Sequence, residues 1–365
     1  MNGNFIKNLS RLIGLKNQIF VLYVIGDENL NQPYEIVDET YGNVIAKIIY
    51  FKKTDSFINK FQKPFSYFKY YKKGWKLIAS EFGRPDIVHV NVLYPIGLFS
   101  LYLKKRYRIP YLCTEHWTGY LDRRSIKIGW SKKLLTKLIA RNSSILCPVS
   151  SDLQKGMVSN GIKGNYQIIP NGIDNELFYP NSKAPKQYDF IHVSNCRDEH
   201  KNVRGILSAF DQLANHYPKA TLLIICEKNP EILTQLITKH NFKNLNKLSV
   251  LVEQDAKDVA SLMRSSKAMV MFSNYETFSI VLAEAWSCGL PAIYSKCGGL
   301  TEIYNPKIGI QISPNDEYAL QNAMEKVLTQ ENLFEQDEMD RLSKMFSNDR
   351  VLEQYCLIYN QIAKL

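Results

Sequence analysis

The chain contains no Cys-x-x-Cys pair, no His-Glu-x-x-His string and no Asp-x-Asp triplet. The first two absences leave no redox-dithiol or zinc-hydrolase signature. The third removes the acidic pair that commonly seats a divalent cation beside a nucleotide diphosphate, so neither a metal nor a cofactor is expected. Seven cysteines, at 113, 147, 196, 226, 288, 297 and 356, form an odd set. Several lie in apolar runs such as Leu222–Cys226, where a thiol acts as a small hydrophobe. They predict no disulfide framework and a reducing, cytoplasmic setting. Long apolar runs are missing too. Asn2–Leu9 is polar, Ile19–Ile25 is short, and Tyr94–Leu103 is interrupted by Pro95 and Gly97. Neither a signal peptide nor a spanning helix of ~18 residues is expected. Acidic residues are scarce in the first half: residues 1–180 hold 13 Asp+Glu against 26 Lys+Arg, a net +13 in a chain whose total is +11. Residues 181–365 carry −2. An anionic partner is expected for the first half alone.

What is present reads as a two-domain α/β protein. The length, 365 residues, and 45% apolar content exclude disorder and suit two or three cores. Short β-branched runs alternate with amphipathic stretches. The first half shows strands at 20–24, 44–50, 87–90, 111–114, 145–149 and 167–169. The second shows them at 190–193, 221–226, 248–252, 268–272, 292–294 and 308–312, with helices at 203–217 and 255–265 between them. Pro180–Gln187 is the most linker-like segment. It divides the chain into residues 1–180, a second domain at 188–345, and a final helix at 346–365 expected to pack back toward the first domain. Two doubly wound sheets imply a cleft beyond the carboxyl ends of their strands. The chain opens on helix-like Phe5–Leu15 instead of a strand and glycine turn, so the first strand of the N-terminal domain is expected to be missing.

The most informative segment is Asn274-Tyr-Glu-Thr-Phe-Ser-Ile-Val-Leu-Ala-Glu-Ala-Trp-Ser-Cys-Gly-Leu-Pro291, just after an apolar strand. Its pattern predicts a helix from Thr277 or Phe278 to Gly289. The amides of Phe278, Ser279 and Ile280 would lack intrahelical partners and favour a phosphate. Glu276 before the helix and Glu284 two turns inside it can each accept paired hydroxyls. A plain amphipathic helix with two solvated glutamates is the competing interpretation.

This segment resembles the signature of the retaining glycosyltransferases of family 4, which have the GT-B fold of two facing Rossmann-like domains. Pro85–Asn91, Pro110–His116, Val149–Leu153, Ile169–Asp174 and Cys297–Glu302 are similar to further family segments, in order, across about residues 85–312. The resemblance implies that Glu284 binds ribose hydroxyls of a nucleotide sugar and that Glu276 holds the donor sugar. It implies that Thr277, the Phe278–Ile280 amides and Asn171 also contribute to donor binding. His116 would face the donor sugar, with Glu115 and Trp117 shaping the pocket. The family clamps the diphosphate with an Arg and a Lys. Lys201 matches; the expected Arg position holds Cys196, and Arg197 is the nearest substitute. Retention in this family is thought to proceed by same-face attack, the leaving phosphate taking the acceptor's proton.

Residues 51–76 carry eight lysines and nine aromatics with one acid, and residues 104–141 add 11 Lys+Arg against Glu115 and Asp122. Basic stretches with interleaved aromatics, here Phe57, Phe61, Phe65, Phe68, Tyr71 and Trp75, can lie in an anionic membrane interface. No nucleic-acid motif accompanies them, so no nucleic-acid partner is expected. The expectation is a metal-independent transferase, cytoplasmic and peripheral on the inner membrane face. It would move a sugar from a nucleotide-diphosphate donor to a growing, lipid-linked glycan. A sugar-nucleotide 2-epimerase and an inactive scaffold of the same architecture are the alternatives.

Overall fold

The computed structural model describes residues 4–53, 59–121, 129–227 and 230–363. Its strands are β1 (Ile19–Asp27), β2 (Tyr34–Tyr41), β3 (Val44–Lys52), β4 (Val88–Asn91), β5 (Tyr111–Glu115), β6 (Leu146–Pro148), β7 (Tyr188–Ser194), β8 (Leu222–Cys226), β9 (Leu248–Val252), β10 (Ser266–Met271), β11 (Ala292–Ser295) and β12 (Gly309–Ile312). The helices of the first half are α1 (Asn4–Gly14), α2 (Asn59–Phe82), α3 (Gly97–Tyr107), α4 (Trp130–Asn142) and α5 (Ser151–Ser159). Those of the second are α6 (Asp198–Lys201), α7 (Val203–His216), α8 (Glu231–His240), α9 (Ala256–Arg264), α10 (Ile280–Ser287), α11 (Glu317–Thr329), α12 (Gln336–Met345) and α13 (Asn348–Ala363).

The second half is a six-stranded parallel sheet in the order β12-β11-β10-β7-β8-β9. Its strands are nearly continuous apolar runs (β8 is Leu-Leu-Ile-Ile-Cys, every residue buried) because helices cover both faces. The strand order reverses between β7 and β10, which places the switch point, and hence the ligand crevice, at their carboxyl ends. Gly205 lets α7 close on this sheet: a Cβ there would meet Phe272 at 2.7 Å.

The first half holds two three-stranded sheets, β1-β3-β2 and parallel β4-β5-β6. No ladder joins them among the described residues, although Val24 of β1 and Val88 of β4 pack into one apolar cluster. The first described element is a helix. β2 pairs antiparallel with β3, and its Tyr-Glu-Ile-Val-Asp-Glu-Thr-Tyr sequence is mostly exposed, which is why apolar patterning misses it. The 167–169 segment is not a strand: it runs beside β6 through single bonds, Gln167 N–H to Leu146 O and Ile169 N–H to Pro148 O.

The chain returns to the first half at its end. Ile173 exchanges backbone bonds with Phe346 and Asn348 (2.8 and 3.0 Å), and α13 packs on Leu112, Ile145 and Ile169. Tyr355 and Thr114 share a 2.9 Å hydrogen bond, and Tyr359 and His89 one of 2.7 Å. Among the described residues no helix is long and apolar enough to cross a membrane.

Two expectations need correction. The aromatics of the 51–76 segment mostly face inward: Phe51, Tyr70, Tyr71 and Trp75 are buried with Phe99, and Phe68 packs on them, while Phe65 is exposed. Phe57 lies outside the described residues, as does the Phe61 side chain. A disulfide also exists, between Cys196 after β7 and Cys226 at the end of β8. The other five cysteines are free. Register explains the pairing, because the neighbouring parallel strands β7 and β8 end side by side, at Ser194 and Cys226.

Candidate active site

The switch point is occupied by charge. Lys201, the last residue of α6, reaches Glu276 in the loop after β10, with Nζ 2.5 Å from Oε1. Ser273 Oγ donates to the same oxygen at 2.8 Å, and His200 Nε2 stands 3.8 Å away. The His200 ring stacks on Tyr275 with centroids 4.5 Å apart. Burial alone would raise the Glu276 carboxyl; the charges of Lys201 and His200, with hydrogen bonds from Lys201 and Ser273, outweigh it and hold the pKa below its ordinary value.

Beyond Glu276 the chain turns sharply into α10. Ser279 takes left-handed backbone (φ 64°), so the helix begins at Ile280, later than the pattern predicts. The unpartnered amides are therefore those of Ile280, Val281 and Leu282, and no side chain caps them. Phe278 is buried edge-on against Phe346 (5.2 Å between centroids), and the Thr277 carbonyl accepts from Gly299 N–H at 3.3 Å. Gly298 has φ +75°, and a Cβ there would strike the Glu276 carbonyl oxygen at 2.4 Å. The glycine turn thus holds the Glu276 loop in place.

Glu284 lies one turn into α10, half-buried, and its carboxylate makes no hydrogen bond or ion pair among the described residues. Burial pushes its pKa up to about 7. Arg197 is exposed and likewise has no side-chain partner among the described residues. Asn171 lies two residues before Ile173, whose backbone bonds Phe346 and Asn348.

The facing wall comes from the first half. Glu115, at the end of β5, is fully buried and accepts three backbone N–H bonds: Leu93 at 3.0 Å, His116 at 2.9 Å and Trp117 at 2.8 Å. It fixes the loops after β4 and β5 together. Burial raises its pKa to about 7 against the lowering effect of those bonds. The His116 imidazole is half-buried, and burial, aided by His89, pulls its pKa down to about 3 and keeps it neutral. Across the cleft Glu302 accepts from Ser151 Oγ and pairs with Lys155 (3.3 Å) on α5. A cavity of about 190 Å³ lies between the halves, lined by Leu121, Asp152, Lys155 and Gly156 on one side and Tyr275, Glu276 and Gly298 on the other. Its volume is below the ~300–1,000 Å³ of ordinary ligand sites.

Lys201 and Glu276 are thus brought together; Arg197 immediately precedes the helix that carries Lys201, Glu284 lies on α10 after Glu276, and His116 follows β5 in the first half. Sequence reasoning missed Ser273 and the Glu302 bridge. The latter lies in a recognised segment, but nothing in the string shows that α5 faces it.

A doubly wound parallel sheet facing a second α/β half across a cleft, with the last helix crossing back, defines the GT-B class. Two family profiles match in succession: Glycosyltransferase Family 4 over residues 29–177, and Glycosyl transferases group 1 over residues 174–344. The chain belongs to the family 4, group 1 glycosyltransferases. It is 26% identical over 333 residues to a probable sucrose-phosphate synthase of Thermosipho melanesiensis, covering 82% of this chain and 76% of that one. The fold is similar to sucrose-phosphate synthase from Thermosynechococcus elongatus, with a TM-score of 0.80 at 18% identity, covering 99% and 93% of the two chains. It is also similar to an E. coli trehalose-6-phosphate protein bound with UDP-2-fluoro glucose (TM-score 0.72, 14% identity, 98% and 95% coverage).

Proposed function

We propose that the protein transfers a hexosyl or N-acetylhexosaminyl group, with retention of configuration, from a nucleotide-diphosphate sugar to a growing glycan on a lipid carrier. The observation that carries this is the meeting of Lys201, Glu276 and the uncapped start of α10 at the switch point. Cleaving the sugar–phosphate bond puts negative charge on the leaving diphosphate. Lys201, Arg197 and the amides at Ile280–Leu282 supply a fixed positive field there, in the place a metal ion takes elsewhere. Glu276 then exchanges its Lys201 partner for hydroxyls of the donor sugar, and Glu284, unpaired among the described residues, receives the ribose hydroxyls. The acceptor oxygen bonds to the anomeric carbon as the phosphate oxygen leaves, and the acceptor's proton passes to that phosphate. Neutral His116 serves as a hydrogen-bonding wall on the sugar. Support for a lipid-linked acceptor and a peripheral cytoplasmic placement comes from the +13 charge of the first half.

The test is a thermal-shift screen of nucleoside-diphosphate sugars, followed by transfer assays with and without acceptor and NMR of the product anomer. No stabilisation by any nucleoside diphosphate would overturn the donor assignment. An inverted anomer would overturn retention, and acceptor-free conversion would favour epimerisation.

A further inference from the structure

Helix α4, Trp-Ser-Lys-Lys-Leu-Leu-Thr-Lys-Leu-Ile-Ala-Arg-Asn, is seated by one face and carries exposed apolar side chains on the other. Thr136, Ile139 and Ala140 are buried; the Ile139 carbonyl accepts from Tyr111 Oη at 2.6 Å, and Gly97 of α3 leaves room for the Ile139 side chain, which a Cβ would strike at 2.6 Å. On the opposite face Trp130, Leu134 and Leu138 are 81%, 60% and 47% exposed. Their spacing of four puts them on a single outward stripe. Single exposed apolar residues are ordinary, but an aligned Trp and two leucines on one helix are a patch.

Lys133, Lys137 and Arg141 share that outward arc, also four apart. None has an acidic partner among the described residues, and the sequence has no Asp or Glu between Asp122 and Asp152. A second copy presenting this same face would have to bury three uncompensated cations, whereas an anionic bilayer accepts them while the apolar side chains sink below its headgroups. Tryptophan, with its apolar ring and polar N–H, suits that boundary. Position favours the same partner. Lys132 lies 3.8 Å over the Trp117 ring and 5.4 Å over that of Tyr94, so the start of α4 touches the loops that form the first-half wall of the cleft.

We infer that the outward face of α4 is the protein's docking surface for an anionic lipid bilayer, with Trp130, Leu134 and Leu138 inserted and Lys133, Lys137 and Arg141 on the headgroups. This rests on the lipid-linked acceptor proposed above and adds the element that holds the cleft at the bilayer. It also shifts the membrane contact away from the aromatics of α2, most of which face the core.

The experiment is flotation of the full chain with phosphatidylcholine vesicles with and without phosphatidylglycerol. It compares wild type with Trp130→Ser/Leu134→Ser/Leu138→Ser and with Lys133→Gln/Lys137→Gln/Arg141→Gln. Circular dichroism and the thermal shift given by a nucleoside diphosphate verify that each variant is folded. Wild type should bind only the anionic vesicles, and each variant should bind them about tenfold less or weaker still. Wild type that ignores anionic vesicles would overturn both the membrane reading and this one. Wild-type binding that both folded variants retain would overturn the role of α4 and leave the membrane reading standing. A dimer in sedimentation that the serine variant dissociates, without vesicle binding, would make the face a self-interface.

Discussion

Lys201 Nζ stands 2.5 Å from Glu276 Oε1 and so joins the loop after β7 to the loop after β10, with the two side chains 13% and 10% exposed. Removing one member of such a buried pair costs about 3–5 kcal/mol, because the other charge is left without compensation. Lys201→Ala should lower the melting temperature clearly, and Lys201→Ala/Glu276→Gln should recover most of the loss. Differential scanning calorimetry on the two variants measures the coupling; equal destabilisation would show that the pair is not a unit. Transfer should stay low in both, since the loss of a positive group at the diphosphate raises the barrier by about 3–4 kcal/mol.

Glu284 sets a pH dependence of opposite sign for stability and for binding. Burial raises its folded pKa from the ordinary 4.5 to about 7, so its stabilising contribution is complete below the ordinary value and is lost as pH rises through about 7. Glu284→Gln should therefore be more stable than wild type above neutrality, with the difference shrinking through mild acid and vanishing below the ordinary value of 4.5. A carboxylate accepts two hydroxyls only when ionised, so affinity for a nucleoside diphosphate should rise with pH through the same window in wild type and stay flat in the variant. Titration calorimetry across that range tests both; a wild-type affinity independent of pH would remove Glu284 from the ribose site.

Glu115 accepts three backbone N–H groups with its two carboxylate oxygens. Glutamine offers one acceptor oxygen and an NH2 group, so Glu115→Gln leaves at least one buried N–H facing a donor, at a cost of about 1–3 kcal/mol. The loop carrying His116 and Trp117 should then shift. Turnover should fall while nucleoside-diphosphate affinity, which we assign to the other half, stays within about twofold. A variant with unchanged turnover and unchanged melting temperature would deny Glu115 this positioning role.

How much of this was legible in the sequence follows from what each element needs. Buried parallel strands must be apolar along their whole length, so β7 through β12 stand out as β-branched runs, and Asn274–Pro291 marks its own place at the end of β10. β2 is hidden because an exposed antiparallel edge tolerates Glu35, Asp38 and Glu39. The helix starts two or three residues later than its pattern predicts, since a left-handed serine at 279 leaves no trace in a pattern of apolar spacings. The direction of the α2 aromatics depends on what packs against them, and Phe99, which stacks on Tyr71, lies beyond the segment on α3. The Lys201–Glu276 contact joins residues 75 apart and depends on the reversal of strand order between β7 and β10.

The Cys196–Cys226 disulfide is the feature that composition argued against, and it lies where it matters. Cys196 precedes Arg197 and α6, so the bond anchors to β8 the segment that delivers Lys201 to Glu276. Its two ends are 30 residues apart, and closing such a loop stabilises the fold by about 3–4 kcal/mol in the chain-entropy account. Denaturing alkylation without reductant should label five cysteines, with all seven labelled after reduction; seven labelled at once would dispose of the bond. Cys196→Ser/Cys226→Ser should melt earlier and bind nucleoside diphosphate more weakly, because the segment carrying Lys201 would keep its bonds to Glu276 and Asn274 but lose its anchor to β8. A reductant should reproduce both effects in wild type and change neither in the variant. That comparison separates the role of the bond from the packing of two buried sulfurs.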